Sequence, residues 1–209
     1  MMSSPRTKNS RQVDTVSSTS SVGRILEAAL GLITRKGDAN VTMAQIARAA
    51  RVSRQAVYLH FADRAALMVA LARHLDERLG LPADIQQMID APTGAAMLEA
   101  SVSIQARRNP SVWAVARALD AVRRTDAAAE RAWQDRLNSR LEGCRAIVAR
   151  LQTEGNLRPD LDPSVAADLL WTITSLRMWE DLVLARDWSP QQYQQEITRL
   201  VLGTLTRPG

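Results

Sequence analysis

The sequence predicts an all-α fold: an N-terminal helix-turn-helix domain followed by a C-terminal antiparallel helical bundle, with about nine helices in total. From Ser21 onward, apolar residues return every three or four positions, which is the period of an amphipathic helix. Ala, Leu, Arg, Glu and Gln are abundant, and no segment alternates apolar and polar residues over the length of a strand. With 46% apolar side chains in 209 residues, the chain can bury one ordinary core or two small ones.

The first 20 residues differ in composition from the rest. They contain nine Ser and Thr residues and almost no apolar side chains. Such a segment cannot bury enough surface to offset the entropy lost on ordering, so we expect a flexible arm over 1–20. Gly80 and Pro82 mark the predicted boundary between a small domain over 21–80 and a larger one over 81–209.

Four helices are predicted in the small domain. The first has Ile25, Ala29 and Ile33 on one face and ends before Gly37, a residue type favoured just after a helix. Each of the other three follows a side chain that can accept a hydrogen bond from a free backbone N–H: Thr42, Ser53 and Asp63. The predicted spans are about 21–36, 43–50, 54–60 and 64–80.

Five longer helices are predicted in the second domain, separated mainly by prolines and Gly155. The longest has apolar residues at alternating steps of four and three, which is typical of a central helix in a bundle. The predicted spans are about 92–108, 110–124, 126–154, 163–186 and 190–206.

The last two helices predict a homodimer interface. The helix over 163–186 has Leu170 and Ile173 on one face and Trp179 and Val183 on another, and two apolar faces need two partners. The helix over 190–206 has a single apolar stripe. We therefore expect both helices to pair with their counterparts in a second copy of the chain.

Charge and cysteine content restrict the function classes. Residues 1–80 carry 12 Lys and Arg against six Asp and Glu, whereas residues 81–209 carry 15 against 16, so the N-terminal part favours a polyanionic partner. Cys144 is the single cysteine, which excludes an internal disulfide, and two histidines leave no evident metal site. We expect no cofactor, no metal and no membrane partner. The sequence lacks a signal peptide and a membrane-spanning stretch, so we expect a cytoplasmic protein.

The stretch TMAQIARAARVSRQAVYLHF, residues 42–61, has the spacing of a helix-turn-helix. Two short capped helices are separated by a turn around Arg51 and Val52. A recognition helix enters the major groove by its N-terminal residues, where Arg54 can pair with guanine and Gln55 with adenine. Ser53 lies at the helix N-terminus, where backbone N–H groups favour a phosphate.

The residues RILEAALGLI, VTMAQIA, VS and VYLHF, in this order over about 22–75, resemble the N-terminal signature of the tetracycline-repressor-like (TetR) family. The resemblance implies a helix-turn-helix regulator that binds a palindromic operator as a dimer. It also implies phosphate contacts, by Thr42, Tyr58, His60 and Arg64. Two features depart from the family pattern: Arg51 replaces a glycine of the turn, and Gln55-Ala56 replaces a small pair, which leaves the operator sequence open. The arginine costs about 1 kcal/mol if its backbone is left-handed.

The second domain holds all five tryptophans, which suggests an apolar pocket or ordinary core and dimer packing; both interpretations stay open at this point. In the first interpretation, a small apolar or aromatic effector binds among the helices between 92 and 186. The residues then expected to line its site are Met97, Gln105, Trp113, Arg117, Trp133, Trp171 and Met178. Cys144 and His74 are more simply explained as core residues.

The combined features favour a DNA-binding transcriptional regulator, most simply a repressor that a small molecule releases from double-stranded DNA. The sequence has no glycine-rich phosphate loop and no recognisable catalytic motif, so we do not expect an enzyme. An all-α enzyme with scattered acids and a DNA-binding dimer without a ligand switch are the alternatives. A DNA-packaging protein is disfavoured because it should be basic throughout, whereas residues 81–209 are nearly neutral.

Overall fold

The computed structural model describes residues 20–36 and 41–207, so the predicted arm and Gly37 lie outside the described residues, apart from Ser20. Within these ranges the chain is helical, and its extended pairing is limited to an isolated bridge between Leu157 and Thr206. The helices are α1 Ser21–Lys36, α2 Met43–Ala50, α3 Arg54–His60, α4 Arg64–Arg78, α5 Leu81–Ile89, α6 Gly94–Arg123, α7 Ala127–Thr153, α8 Pro163–Ile173, α9 Leu176–Trp179 and α10 Pro190–Leu205. The all-α fold class is confirmed.

The N-terminal helices form as their caps predict. Thr42, Ser53 and Asp63 accept hydrogen bonds from backbone N–H groups in the first turns of α2, α3 and α4. In the second domain, α7 and α10 lie within one residue of their predicted bounds. Local sequence patterns are therefore enough to predict the bounds of a helix where one capping side chain or one apolar stripe determines them.

The predicted boundary near Gly80 contains an additional helix, α5. Gly80 ends α4 in a left-handed conformation with φ +70°. Pro82 lies in the first turn of α5, where a missing N–H group costs nothing. The fourth helix thus ends close to its predicted end, and the difference from the prediction is the short helix that Pro82 helps to start.

The helices predicted over 92–108 and 110–124 are one continuous helix, α6, with Pro110 inside it. Pro110 removes one backbone hydrogen bond from the helix. The apolar residues of α6 that are buried before and after Pro110 nevertheless keep the helix continuous. Leu98 and Val102 are buried before Pro110, and Val115 and Leu119 are buried after it. Tertiary packing thus overrides the local signal.

The helix predicted over 163–186 is broken at Thr174 and Ser175. Ser175 accepts a hydrogen bond from Met178 N at 3.1 Å and so starts α9, which continues as a π-helical turn over Glu180–Leu184. The Thr174 hydroxyl donates to Leu170 O at 2.6 Å. Two hydroxyl side chains therefore end one helix and begin the next.

Two apolar cores lie side by side. The first core contains the inward faces of α1–α4 together with Ala114–Val122 of α6 and Ala129 of α7. The second core contains the N-terminal half of α6 and inward residues of α7, α8, α9 and α10. Because α6 contributes to both cores, it connects the helix-turn-helix region directly with the interior of the bundle.

Candidate functional site

The core of the helix-turn-helix orients α2 and α3. Ile46 and Val57 are fully buried, and Ala47, Ala50 and Phe61 are nearly so. Thr42 and Gln45 form a reciprocal capping box, in which Thr42 N donates to the Gln45 side chain at 2.8 Å. The two short helices are therefore fixed by packing and by their own caps.

Arg51 occupies the turn in a left-handed conformation, with φ 55° and ψ 44°. Its N–H donates to Arg48 O at 3.2 Å, and Val52 N donates to Ala47 O at 3.0 Å, which is the hydrogen-bond pattern of a Schellman motif. The structure thus meets the condition under which an arginine in place of glycine is strained.

The polar residues predicted to read DNA lie on the exposed surface of α3. Ser53, Arg54 and Gln55 are exposed at its N-terminus, and 41% of Tyr58 is exposed one turn later. The Arg54 guanidinium carbon lies 5.6 Å from the Tyr58 ring centroid. This stacking places the two side chains together on one face of α3.

The remaining predicted phosphate-binding residues surround α3. Thr42 is exposed at the start of α2, and His60 is exposed at the end of α3, where its Nε2 lies 3.0 Å from Ser21 Oγ. Arg64 is half-buried, and its Nε and Nη2 atoms are buried without a hydrogen-bond partner among the described residues. All seven predicted DNA-binding residues thus lie between Thr42 and Arg64 on adjoining elements.

An ion-pair network joins the helix-turn-helix region to the bundle. Arg108 Nη2 on α6 lies 3.1 Å from Asp76 Oδ1 on α4, and Arg108 Nη1 donates to Leu79 O at 3.1 Å. Arg136 Nη1 on α7 lies 2.8 Å from the other Asp76 oxygen. Arg107 and Arg108 lie in the middle of α6 and not at a helix end, because the helices predicted over 92–108 and 110–124 are continuous. The carboxylate of Asp76 thus connects three helices.

The seven predicted effector residues lie at different places in the two cores. Met97, Trp171 and Met178 pack in or against the second core, Trp133 packs against the first, and Trp113 contacts both. The Arg123 guanidinium covers the Trp133 ring at 5.0 Å. The remaining two are Gln105, which is half-buried, and Arg117, which is exposed with Nη1 3.5 Å from Glu180 Oε1.

Arg140 lies beside Trp171 on the inner side of the bundle, although the sequence analysis did not single it out. Its Nη2 donates to Trp171 O at 2.6 Å, and its guanidinium carbon lies 5.2 Å from the Trp171 ring centroid. Burial lowers the pKa of Arg140. Burial also raises the pKa of Tyr193 to about 12, an effect that the nearby charge of Arg140 opposes. Arg140 lies three residues after Leu137 and four residues before Cys144, so it shares a helix face with these two residues, and that spacing was the available signal.

Two surface clefts of about 390 Å³ each lie away from the predicted effector residues. One lies between α1 and the end of α2, beside Arg24, Arg35 and Arg51. The other lies beside the connection between α7 and α8. Over 20–36 and 41–207, no group of three or more His, Cys, Asp or Glu side chains is arranged to hold a metal ion. No helix in the same ranges has the length and apolar character needed to cross a membrane.

The comparisons with known proteins agree with this arrangement. The profile of the family "Bacterial regulatory proteins, tetR family" matches residues 25–71, which span α1 to most of α4. The comparison with curated proteins found no match.

Solved structures have the same fold over most of their length. A transcriptional regulator from Saccharomonospora viridis in complex with choline is 19% identical, with a TM-score of 0.75 and coverage of 90% of this chain and 98% of that one. FadR from Bacillus subtilis in complex with stearoyl-CoA is 15% identical, with a TM-score of 0.70 and coverage of 87% and 97%. NalD from Pseudomonas aeruginosa, the secondary repressor of the MexAB-OprM multidrug efflux pump, is 22% identical, with a TM-score of 0.69 and coverage of 92% and 100%. Residues 25–71 of this chain, which form most of the helix-turn-helix domain, therefore match the tetR family of bacterial regulatory proteins, and the chain as a whole has the fold of these solved structures.

Proposed function

We propose that the protein is a ligand-responsive DNA-binding transcriptional regulator, a repressor that a small molecule releases from its operator, and that it is not an enzyme. The observation that carries this proposal is the exposed polar N-terminus of α3, held by a buried helix-turn-helix core. The expected place of action is the cytoplasm, where the DNA of a bacterium lies.

The proposed division of roles on DNA follows the position of each side chain. Arg54 and Gln55 lie at the end of α3 that enters a major groove, so they read base edges. Tyr58, His60 and Arg64 lie further along and contact phosphates, which fix the register on the duplex without reading the sequence. Thr42 and Ser53 add phosphate contacts at the starts of α2 and α3.

A homodimer through α8–α9 and α10 is proposed for operator binding. Val165 on α8, Leu184 after α9 and Leu200 on α10 are each exposed by 45% or more, although other residues of the same helices fill the second core. Each of these side chains offers an exposed apolar contact that a second copy can cover. Two DNA-binding domains about 34 Å apart then fit successive major grooves of a palindromic operator.

Release by an effector requires a physical connection between the bundle and α3. That connection is supported by the contacts of Asp76 on α4 with Arg108 of α6 and Arg136 of α7. A ligand that favours one arrangement of α6 and α7 therefore changes the position of α4 and the separation of the two DNA-binding domains. The ligand can change the DNA affinity by no more than the ratio of its own affinities for the two arrangements.

Binding to double-stranded genomic fragments tests the proposal. Gel-shift titration of the full-length protein should give a shift that prefers particular fragments, and an added effector should reverse it. A shift without any sequence preference, or none at low salt, would contradict the proposal. If the protein prefers one operator but no compound releases it from that operator, the protein is a DNA-binding dimer without a ligand switch.

A further inference from the structure

We propose that Leu59 is a specificity-determining residue of α3, and that it contacts the C5-methyl group of a thymine close to the base pair that Gln55 reads. This inference rests on the proposed function, because it concerns the surface with which α3 enters a major groove. It adds an apolar contact to a surface on which only polar side chains have been assigned to DNA.

Leu59 is the most exposed large apolar side chain in the described part of the chain. It is 78% exposed, whereas the other exposed large apolar side chains are between 41% and 49% exposed. It belongs to neither of the two apolar cores and is not among the partly buried residues that pack against them. Single exposed leucines are common on protein surfaces, so the argument depends on where this side chain lies on α3.

The position of Leu59 on α3 follows from the buried residue of that helix. Val57 is fully buried, so it fixes the face of α3 that packs on the helix-turn-helix core. Consecutive residues of an α-helix are about 100° apart around its axis, so residues two positions from Val57 lie about 160° away from it. Gln55 and Leu59 are these two residues, and both are exposed. They therefore occupy the face of α3 opposite the core.

The exposed surface of α3 consists of two neighbouring stripes. Arg54 and Tyr58 form the first stripe, in which the guanidinium carbon lies 5.6 Å from the ring centroid. Gln55 and Leu59, also four residues apart, form the second stripe. A stacked polar pair thus lies beside a pair made of one amide and one aliphatic side chain, and the second pair projects farthest from the core.

The chemistry of the second stripe indicates the bases that it fits. In the major groove an amide side chain can pair with adenine, and an aliphatic side chain can contact the C5-methyl group of thymine. The other groups that read one base pair from another in this groove are hydrogen-bond donors and acceptors. A leucine packed only against those groups would remove water from them without replacing its hydrogen bonds. Leu59 therefore favours an operator with thymine at its position.

The separation of Gln55 and Leu59 limits where the thymine lies. One turn of an α-helix rises about 5.4 Å, and successive base pairs are about 3.4 Å apart along the duplex. Two side chains one turn apart therefore reach base pairs that are about two steps apart or fewer. We expect the adenine read by Gln55 and the thymine contacted by Leu59, on either strand, within that distance in one half-site.

Replacement of thymine by deoxyuridine tests the contact, because it removes the C5-methyl group and keeps the base-pairing edge. The operator preferred in gel-shift titration is synthesised with each thymine replaced in turn, and the affinity of the full-length protein is measured by fluorescence anisotropy. At one position in the half-site, the replacement should weaken binding by the wild type about threefold or more, which corresponds to one lost methyl contact. Replacement at the symmetric position as well should weaken it about tenfold. If no thymine is sensitive, the proposal is overturned.

Variants separate a methyl contact from an effect of deoxyuridine on the shape of the duplex. Leu59→Ala should bring the thymine-to-deoxyuridine affinity ratio close to one, and Leu59→Met, which keeps an apolar side chain of similar size, should keep most of the ratio. Both should keep the Tm of the wild type, because Leu59 packs against neither core. Ile89→Ala removes an exposed apolar side chain from α5 and should leave the ratio unchanged. A ratio that persists in Leu59→Ala would overturn the proposal.

Two further results would also overturn it. Gln55→Ala should lose its preference at a base pair within about two steps of the sensitive thymine, and a greater separation contradicts the arrangement of the second stripe. If Leu59→Ala changes the mass in sedimentation equilibrium and leaves the thymine preference intact, Leu59 packs against a second copy of the chain instead of DNA.

Failure of this inference is distinguishable from failure of the proposed function. If the protein prefers an operator in which no thymine depends on Leu59, the regulator stands and the role of Leu59 fails. If the protein prefers no duplex over a scrambled one, the proposed function fails, and the role of Leu59 fails with it.

Discussion

Arg108 on α6 and Asp76 on α4 form an ion pair of 3.1 Å in which the arginine side chain is only 8% exposed. Removing Arg108 leaves Asp76 with Arg136 alone and leaves Leu79 O without its donor. Arg108→Gln should therefore lower the free energy of unfolding by about 2–4 kcal/mol, as expected when one partner of a buried pair is removed.

Urea unfolding measures that cost, and Arg145→Gln is the control. Arg145 pairs with Glu142 on α7, and the two side chains are 57% and 68% exposed. We expect the control to cost less than about 1 kcal/mol. Equal costs would mean that the contact between α4 and α6 does not depend on the buried pair.

The left-handed turn residue gives a stabilising prediction. Arg51→Gly should raise the free energy of unfolding by about 1 kcal/mol, because glycine adopts φ 55° without the steric cost of a side chain. Arg48→Gly, three residues earlier in the last turn of α2, should lower it by a similar amount. If Arg51→Gly is less stable than the wild type in thermal unfolding, the side chain of Arg51 makes a contact that outweighs the strain.

Glu27 predicts a pH dependence of stability. Burial alone would raise its pKa, but hydrogen bonds and charges from His74 and Arg78 outweigh burial and hold the pKa below 4.5. The unfolded chain therefore binds a proton at Glu27 more readily than the folded chain does. The stabilisation is present above about pH 4.5 and is lost as the pH falls through the folded-state pKa.

Unfolding of the wild type and Glu27→Gln at several pH values checks this sign. The difference in stability should be largest near neutral pH and should shrink below pH 4.5. Glu142→Gln, whose glutamate side chain is 68% exposed, should show little difference at any pH. If the stability difference between the wild type and Glu27→Gln grows as the pH falls, the lowered pKa of Glu27 is contradicted.

The proposed dimer surface predicts a change of mass. Leu200→Asp places a charge on the apolar surface of α10 and should convert the dimer into a monomer of about 23 kDa in sedimentation equilibrium. Ile89→Asp on α5 is the control, because Ile89 is exposed to a similar extent but lies outside α8–α10. A wild type that is monomeric at micromolar concentration would refute the interface.

The helix-turn-helix was predictable because its signals are local. Thr42, Ser53 and Asp63 each begin a helix by accepting a hydrogen bond from the backbone N–H three residues later. Ile46 and Val57 are buried, as their helical spacing predicts. These features depend on a few neighbouring residues, so no knowledge of distant packing is needed.

The arrangement of the second domain was less predictable because it depends on contacts that are distant in sequence. Pro110 should end a helix by local rules, yet the two cores on either side of it hold α6 continuous. Arg140 resembles a surface residue until α8 places Trp171 beside it.

The central claim is that α3 reads DNA sequence, and fluorescence anisotropy with a preferred operator and a scrambled duplex at several salt concentrations tests it most directly. Arg54→Ala or Gln55→Ala should change which base pairs are preferred. Arg64→Ala should weaken binding to both duplexes and reduce the salt slope by about 1, and Tyr58→Phe should weaken both. If the wild type binds both duplexes equally, or if Arg54→Ala leaves the preference unchanged while Arg64→Ala alters it, the account of this surface is wrong.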